Sequence, residues 1–109
     1  MEKNEFEKGI KFSYINSIDY ADKAVVSKQI LKKETGNISL FAFDKGEGLS
    51  EHTAPFDAVV YIVDGTADVI IDGKSNILTA NQTIIMPAHI SHALKAVEKF
   101  KMVLTMIKK

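Results

Sequence analysis

The sequence predicts an all-β single domain, a sandwich or barrel built largely of antiparallel strands. Three observations predict it. From Ala24 onward the chain breaks into short runs rich in β-branched and aromatic residues at near-regular spacing. Turn residues stand between the runs, with Asp72-Gly73 among the strongest short hairpin signals known. No stretch after Ala24 sustains a capped helical period.

The elements follow in chain order. Residues 1–23 mix charge with scattered aromatics (Phe6, Phe12, Tyr14, Tyr20) and form a partly irregular N-terminal segment with room for a short strand and one helical turn. The β domain proper occupies 24–109. Ala24 to Lys32 reads as a strand, Thr35-Gly36-Asn37 as a turn, and Ile38 to Phe43 as a second strand. Asp44 to Pro55 is a loop, with Gly46 and Gly48 inside it. Ala58 to Val63 is a strand ended by Asp64-Gly65, and Thr66 to Ile71 is the next. Ser75 to Leu78, Thr83 to Met86, His92 to Val97 and Lys99 to Ile107 complete the set. In the last, Phe100, Met102, Leu104 and Met106 alternate with Lys101, Val103, Thr105 and Ile107, the two-residue period of a sheet.

Composition narrows the chemistry. A chain of 109 residues holds one ordinary domain, and 46% hydrophobic residues is a globular content. The absence of cysteine removes disulfides, zinc-thiolate sites and thiol nucleophiles together. A net charge of zero argues against nucleic acid and anionic membranes, which select basic surfaces. All 14 basic residues are lysine, so the bidentate fork that favours phosphate and carboxylate recognition is missing. The apolar runs are too short to span a bilayer, and Met1 to Gly9 has no apolar core of the signal-peptide kind. A soluble cytoplasmic protein is the expectation.

One stretch carries more specific information. It begins Gly46-Glu47-Gly48-Leu49-Ser50-Glu51-His52-Thr53-Ala54-Pro55-Phe56-Asp57-Ala58 and runs through Val59 to Asp64 to Gly65. It ends with Asn81 to Met86, Pro87-Ala88-His89-Ile90-Ser91-His92 and Ala93 to Ala96. The turn at Gly65, Pro87, and His92 five residues beyond it resemble the paired motifs of the cupin family. The resemblance implies a cupin-type double-stranded β-helix, the jelly-roll barrel. It also implies that His52 and His92 stand at two of the family's four metal-ligand positions, while Ala54 and Ala58 occupy the other two. His89 falls where the family often has a turn glycine, and Ala96 where it has asparagine.

A replacement ligand has to come from a nearby side chain. Iron or zinc enzymes need about three protein ligands on one face. Asp57 and Glu51 are the nearby carboxylates, yet in a regular strand Ala58, Val60 and Ile62 share one face and Asp57 points to the other. A β-bulge near Pro55 would re-aim it. Asp57 otherwise caps a loop, and His52 otherwise bonds a backbone carbonyl.

Two functional readings of different class remain. In the first, the barrel binds a small, largely apolar or aromatic molecule without a cofactor; His52 and His92 orient it, and Phe43, Met86 and Met102 with the final strand supply contact area. In the second, the resemblance implies a metal-dependent enzyme of the dioxygenase or sugar-isomerase kind, holding Fe, Mn, Ni or Zn through His52, His92 and a nearby carboxylate, Asp57 or Glu51. An epimerase using a histidine base ranks below both, because nucleotide-linked substrates suit an arginine-free chain badly. No residue is singled out as catalytic. Apolar residues on both faces of 24–43 suggest a second packed layer, hence a homodimer.

Overall fold

A computed structural model describes residues 6–108. The described residues form seven strands: β1 (Val25–Lys33), β2 (Gly36–Phe43), β3 (Gly48–His52), β4 (Asp57–Ile71), β5 (Lys74–Thr79), β6 (Thr83–Met86) and β7 (His92–Ile107). All pairings are antiparallel. The all-β jelly-roll expectation is met.

Two long strands organise the rest. The first half of β4 pairs with the second half of β7 and with β6, extending through β2 to β1. The second half of β4 pairs with the first half of β7 and with β5, and β3 joins the other side of β7. Each long strand therefore starts in one layer of the sandwich and ends in the other. The crossing is made where the β4–β7 register slips, between Ile62 and Asp64 and again between Gly65 and Ala67. Asp64-Gly65 bends β4 without ending it, because β-bulges absorb an irregularity inside a continuous ladder. The same slip joins the two runs expected on either side of Glu98 into the single strand β7.

Glycine is required at the bend. Gly65 has φ +84°, and a Cβ there would collide with the backbone carbonyl of Lys99 and lie 2.7 Å from the Cα of Phe100. Asp72 and Gly73, both at positive φ (50° and 76°), turn β4 into β5 as the hairpin signal predicted.

Strand β3 lies inside the stretch expected to be loop. Its residues are mostly exposed and lack alternation, so no hydrophobic signal marks them. Backbone pairing to β7 holds it, and the ladder continues outside the strand through Gly46 N–H to Ala96 O (2.9 Å) and Ala96 N–H to Glu47 O (2.8 Å).

Inward-facing residues of both layers form one core. Phe43, Val60, Ile62, Ala67, Val69, Phe100 and Met102 are without solvent exposure, and the Phe43 and Phe100 rings stack 4.4 Å apart. A second cluster lies on the outer face of β2, β7 and β1, where Leu40, Ala42 and Val103 pack with Ile18. Its cover is the chain's own N-terminal segment. That segment contains turns but, among the described residues before β1, no strand and no helical turn. Lys101, 7% exposed, donates to Ile15 O (2.7 Å), and its ammonium stands 5.1 Å from the Tyr20 ring. Tyr20 in turn donates to Asp64 Oδ2 (2.7 Å). The second layer anticipated over residues 24–43 is thus intramolecular.

Candidate functional site

One end of the sandwich gathers the end of β3, the start of β7 and the end of β4. His52 and His92 are direct partners in the β3–β7 ladder, and Ile71 partners His92 on the other side. The register of β3 shifts between Leu49 and His52. This irregularity lies within β3, ahead of His52, and not beside Pro55, where a bulge would re-aim Asp57.

Backbone carbonyls orient both rings. His52 Nδ1 is 2.7 Å from Ser50 O, and His92 Nδ1 is 3.2 Å from Ile90 O. A carbonyl only accepts, so each contact favours the tautomer with the proton on Nδ1. Each ring then presents an Nε2 lone pair, and the two Nε2 atoms face one another at 3.1 Å. The rings cross edge-on at 71°, centroids 4.3 Å apart. Two lone pairs at this distance repel unless a proton or an electropositive guest lies against them. His52 thus bonds a backbone carbonyl through Nδ1 and turns Nε2 toward His92.

The two histidines differ in environment. His92 is 5% exposed, whereas His52 is exposed. Burial disfavours the charged form of His92 and lowers its pKa; the Ile90 carbonyl opposes this, and the neighbouring His52 adds to the lowering.

Asp57 is not brought to the pair. Ala58, Val60 and Ile62 turn inward and Asp57 is exposed, as strand parity requires. Its Oδ1 accepts the backbone N–H of Ala88 (2.8 Å), and His89 N–H donates to Ala54 O (2.7 Å). These bonds tie the loop before β4 to the loop before β7. His89 has φ 66°, the left-handed geometry expected of a turn residue there. Among the described residues no three His, Asp or Glu side chains cluster to hold a metal ion. The donor set does not fit a four-ligand centre: Ala54 and Ala58 have no donor, and Asp57 is engaged elsewhere.

The contact residues expected beside the histidines lie deeper. Phe43 and Met102 have no exposed surface and Met86 has 3%, all within the packed core. Phe43 and Met102 pack in the interior beside Phe100, whose ring stacks on that of Phe43. A buried acceptor that the sequence did not single out is Asn37 Oδ1, which has no hydrogen-bond partner. No sequence pattern separates it from an ordinary turn asparagine.

Known proteins share this fold. The Cupin domain family matches residues 39–108. No curated protein matches the chain. A conserved protein of unknown function from Streptococcus pyogenes superposes with a TM-score of 0.91 at 33% identity, over 97% of this chain and 93% of the other. A Cupin 2 conserved barrel domain protein from Leptotrichia buccalis gives 0.86 at 35% identity, over 89% of this chain and 47% of that one. A cupin superfamily protein from Desulfitobacterium hafniense gives 0.89 at 26% identity, over 98% and 97%. With the family matched across most of the barrel and the fold shared end to end, this chain belongs to the cupin family.

Proposed function

We propose that this cupin binds a small, largely apolar or aromatic molecule at the open end of the barrel, through a donor group that His52 and His92 accept together. The observation that carries the reading is the pair of Nε2 atoms 3.1 Å apart with both Nδ1 atoms held by carbonyls. One hydroxyl, amine or amide N–H placed between them satisfies both lone pairs at once. Ile71, the ladder partner of His92, adds apolar surface beside the pair. The packed interior limits how far a ligand penetrates.

The test is a titration of protein with ¹⁵N-labelled histidine, using p-cresol and its methyl ether. Saturable shifts of the His52 and His92 Nε2 resonances with the phenol, weak or absent with the ether, are the expected result. Equal responses to both, or none to either, would refute the reading.

A metal-dependent enzyme is the second reading, with His52 and His92 as its protein ligands and Asp57 held away at the Ala88 N–H, and one distance favours it. Two nitrogen ligands at zinc-like bond lengths stand roughly 2.9–3.4 Å apart in tetrahedral or octahedral geometry, which includes 3.1 Å. About one Fe, Mn, Ni or Zn per chain in tag-free protein, lost in the His52→Ala, His92→Ala double variant, would replace the first reading with this one. A cytoplasmic homodimer is part of the proposal. With the second layer supplied intramolecularly, the dimer rests on the free edge of β1. A clean monomer in gel filtration at tens of micromolar would remove it.

A further inference from the structure

We infer that the outer face of the layer β6-β4-β7-β2-β1 seats a second copy of this chain, in a face-to-face dimer that sets Ile85 of each copy against a groove beside Leu31 of the other. The inference rests on the homodimer reading above and gives that dimer its interface. The β1 edge enters the interface through its outward side chains.

Ladder register places the face. Ile85, Val59, Thr105, Ile38 and Leu31 are successive cross-strand partners over five strands, so one row of side chains crosses the whole layer on its outer side. A sheet face turned to water carries polar side chains at such positions, yet four of these five are aliphatic. The N-terminal segment packs Ile18 over the rows of Leu40, Ala42 and Val103. Beyond that cover, Ile85 is 60% exposed, Leu31 38%, and Ile107 in the adjoining row 57%. Aliphatic side chains gathered on one face in this way mark an interaction surface.

The face is complementary to itself. Strands β6 and β1 each stand two strands away from the central β7, on opposite sides of it. Ile85 projects on the β6 side, and a groove of about 210 Å³ opens on the β1 side among Leu31, Gly36, Ile38, Thr105 and Ile107. A two-fold axis running along β7 between two stacked layers lays Ile85 of each copy over the groove of the other. An isologous interface requires this arrangement, with one patch carrying both halves of the contact. The charges agree with the same axis. In the row of Ile107, exposed Lys33 lies on β1 and exposed Asp57 on β4, across β7 from one another. Stacking brings Lys33 of one copy toward Asp57 of the other, and like charges stay apart.

Sedimentation equilibrium of the full-length protein is the first measurement. A patch of this extent stands at the small end of specific interfaces, so a micromolar dimer is expected. Ile85→Asp and Leu31→Asp, both at exposed positions, should each weaken dimerisation by about tenfold or more while circular dichroism shows the fold retained. The chain has no cysteine, so oxidative cross-linking of Leu31→Cys mixed with isotope-labelled Ile85→Cys reads the orientation directly. Disulfides joining the two variants should predominate. Disulfides mainly between two Leu31→Cys chains would assign the dimer to β1–β1 pairing and overturn the inference while the homodimer stands. Cross-links in statistical proportions, or a dimer indifferent to both aspartates, would overturn it in the same way. A wild-type monomer throughout the micromolar range would remove the homodimer and the inference together.

Discussion

At the scale of single residues, the histidine pair shows how neighbours decide what a side chain does. The Ser50 and Ile90 carbonyls assign the proton of each ring, and burial of His92 works against a second proton. The sign of the resulting pH dependence follows. Folding lowers the His92 pKa, so between the unfolded value of about 6.5 and the lower folded value the unfolded chain binds more protons. Stability from this group is complete above about pH 6.5 and declines as pH falls below it. Urea denaturation at neutral and mildly acidic pH should show a loss on acidification that His92→Gln reduces; an unchanged acid loss in the variant would point elsewhere. Gly65 makes a second residue-scale case. Gly65→Ala meets both a disfavoured positive φ and the Lys99–Phe100 backbone, so a loss above about 3 kcal/mol is expected in denaturant melts.

At the scale of elements, the N-terminal segment is the part that sequence pattern described least. Its aromatics have no period because they serve neither a helix nor a strand. Ile18 fills a gap on the outer sheet face, and Tyr20 lies beside Lys101 while its hydroxyl bonds Asp64. Burial and the hydrogen bond to Asp64 raise the Tyr20 pKa well above that of an ordinary tyrosine. Folding therefore holds its proton, and the stabilisation fades as pH rises past about 10, where the unfolded chain ionises. Tyr20→Phe should cost about 1 kcal/mol near neutral pH through loss of the bond to Asp64 and should blunt the alkaline loss. A deletion of residues 1–22 uncovers Leu40, Ala42 and Val103 and should produce binding of a hydrophobic dye and self-association on sizing; a well-behaved truncated monomer would show the segment to be dispensable. Strand β3 teaches the complementary lesson. It has no apolar face to announce it, yet it positions His52.

At the scale of the whole molecule, one core spans both layers because β4 and β7 belong to both. Residues far apart in sequence are thereby compressed into a single cluster, with Phe43, Ile62, Val69 and Phe100 at its centre. Phe100→Ala removes the stacking partner of Phe43 and opens a cavity in a region without solvent access. A loss of about 3–5 kcal/mol in chemical denaturation is expected, against less than about 1 kcal/mol for exposed Ile85→Ala on β6. Similar losses at both positions would mean that the interior is less tightly packed than the stacking indicates.

Local chemistry determined much of this protein in advance. Period-two alternation in β7, the Asp72-Gly73 hairpin and the inward set Ala58, Val60 and Ile62 depend on backbone geometry acting over a few residues, and each is readable in one dimension. The outward direction of Asp57 was legible for the same reason. What the tertiary structure alone decided involves partners distant in the chain. The bulges that carry β4 and β7 through Asp64 and Glu98 exist because the opposing strand accommodates them. The pairing of His52 with His92, 40 residues apart, depends on a register that no local signal contains. The unpaired Asn37 oxygen is likewise visible only once the surrounding chain has closed over it.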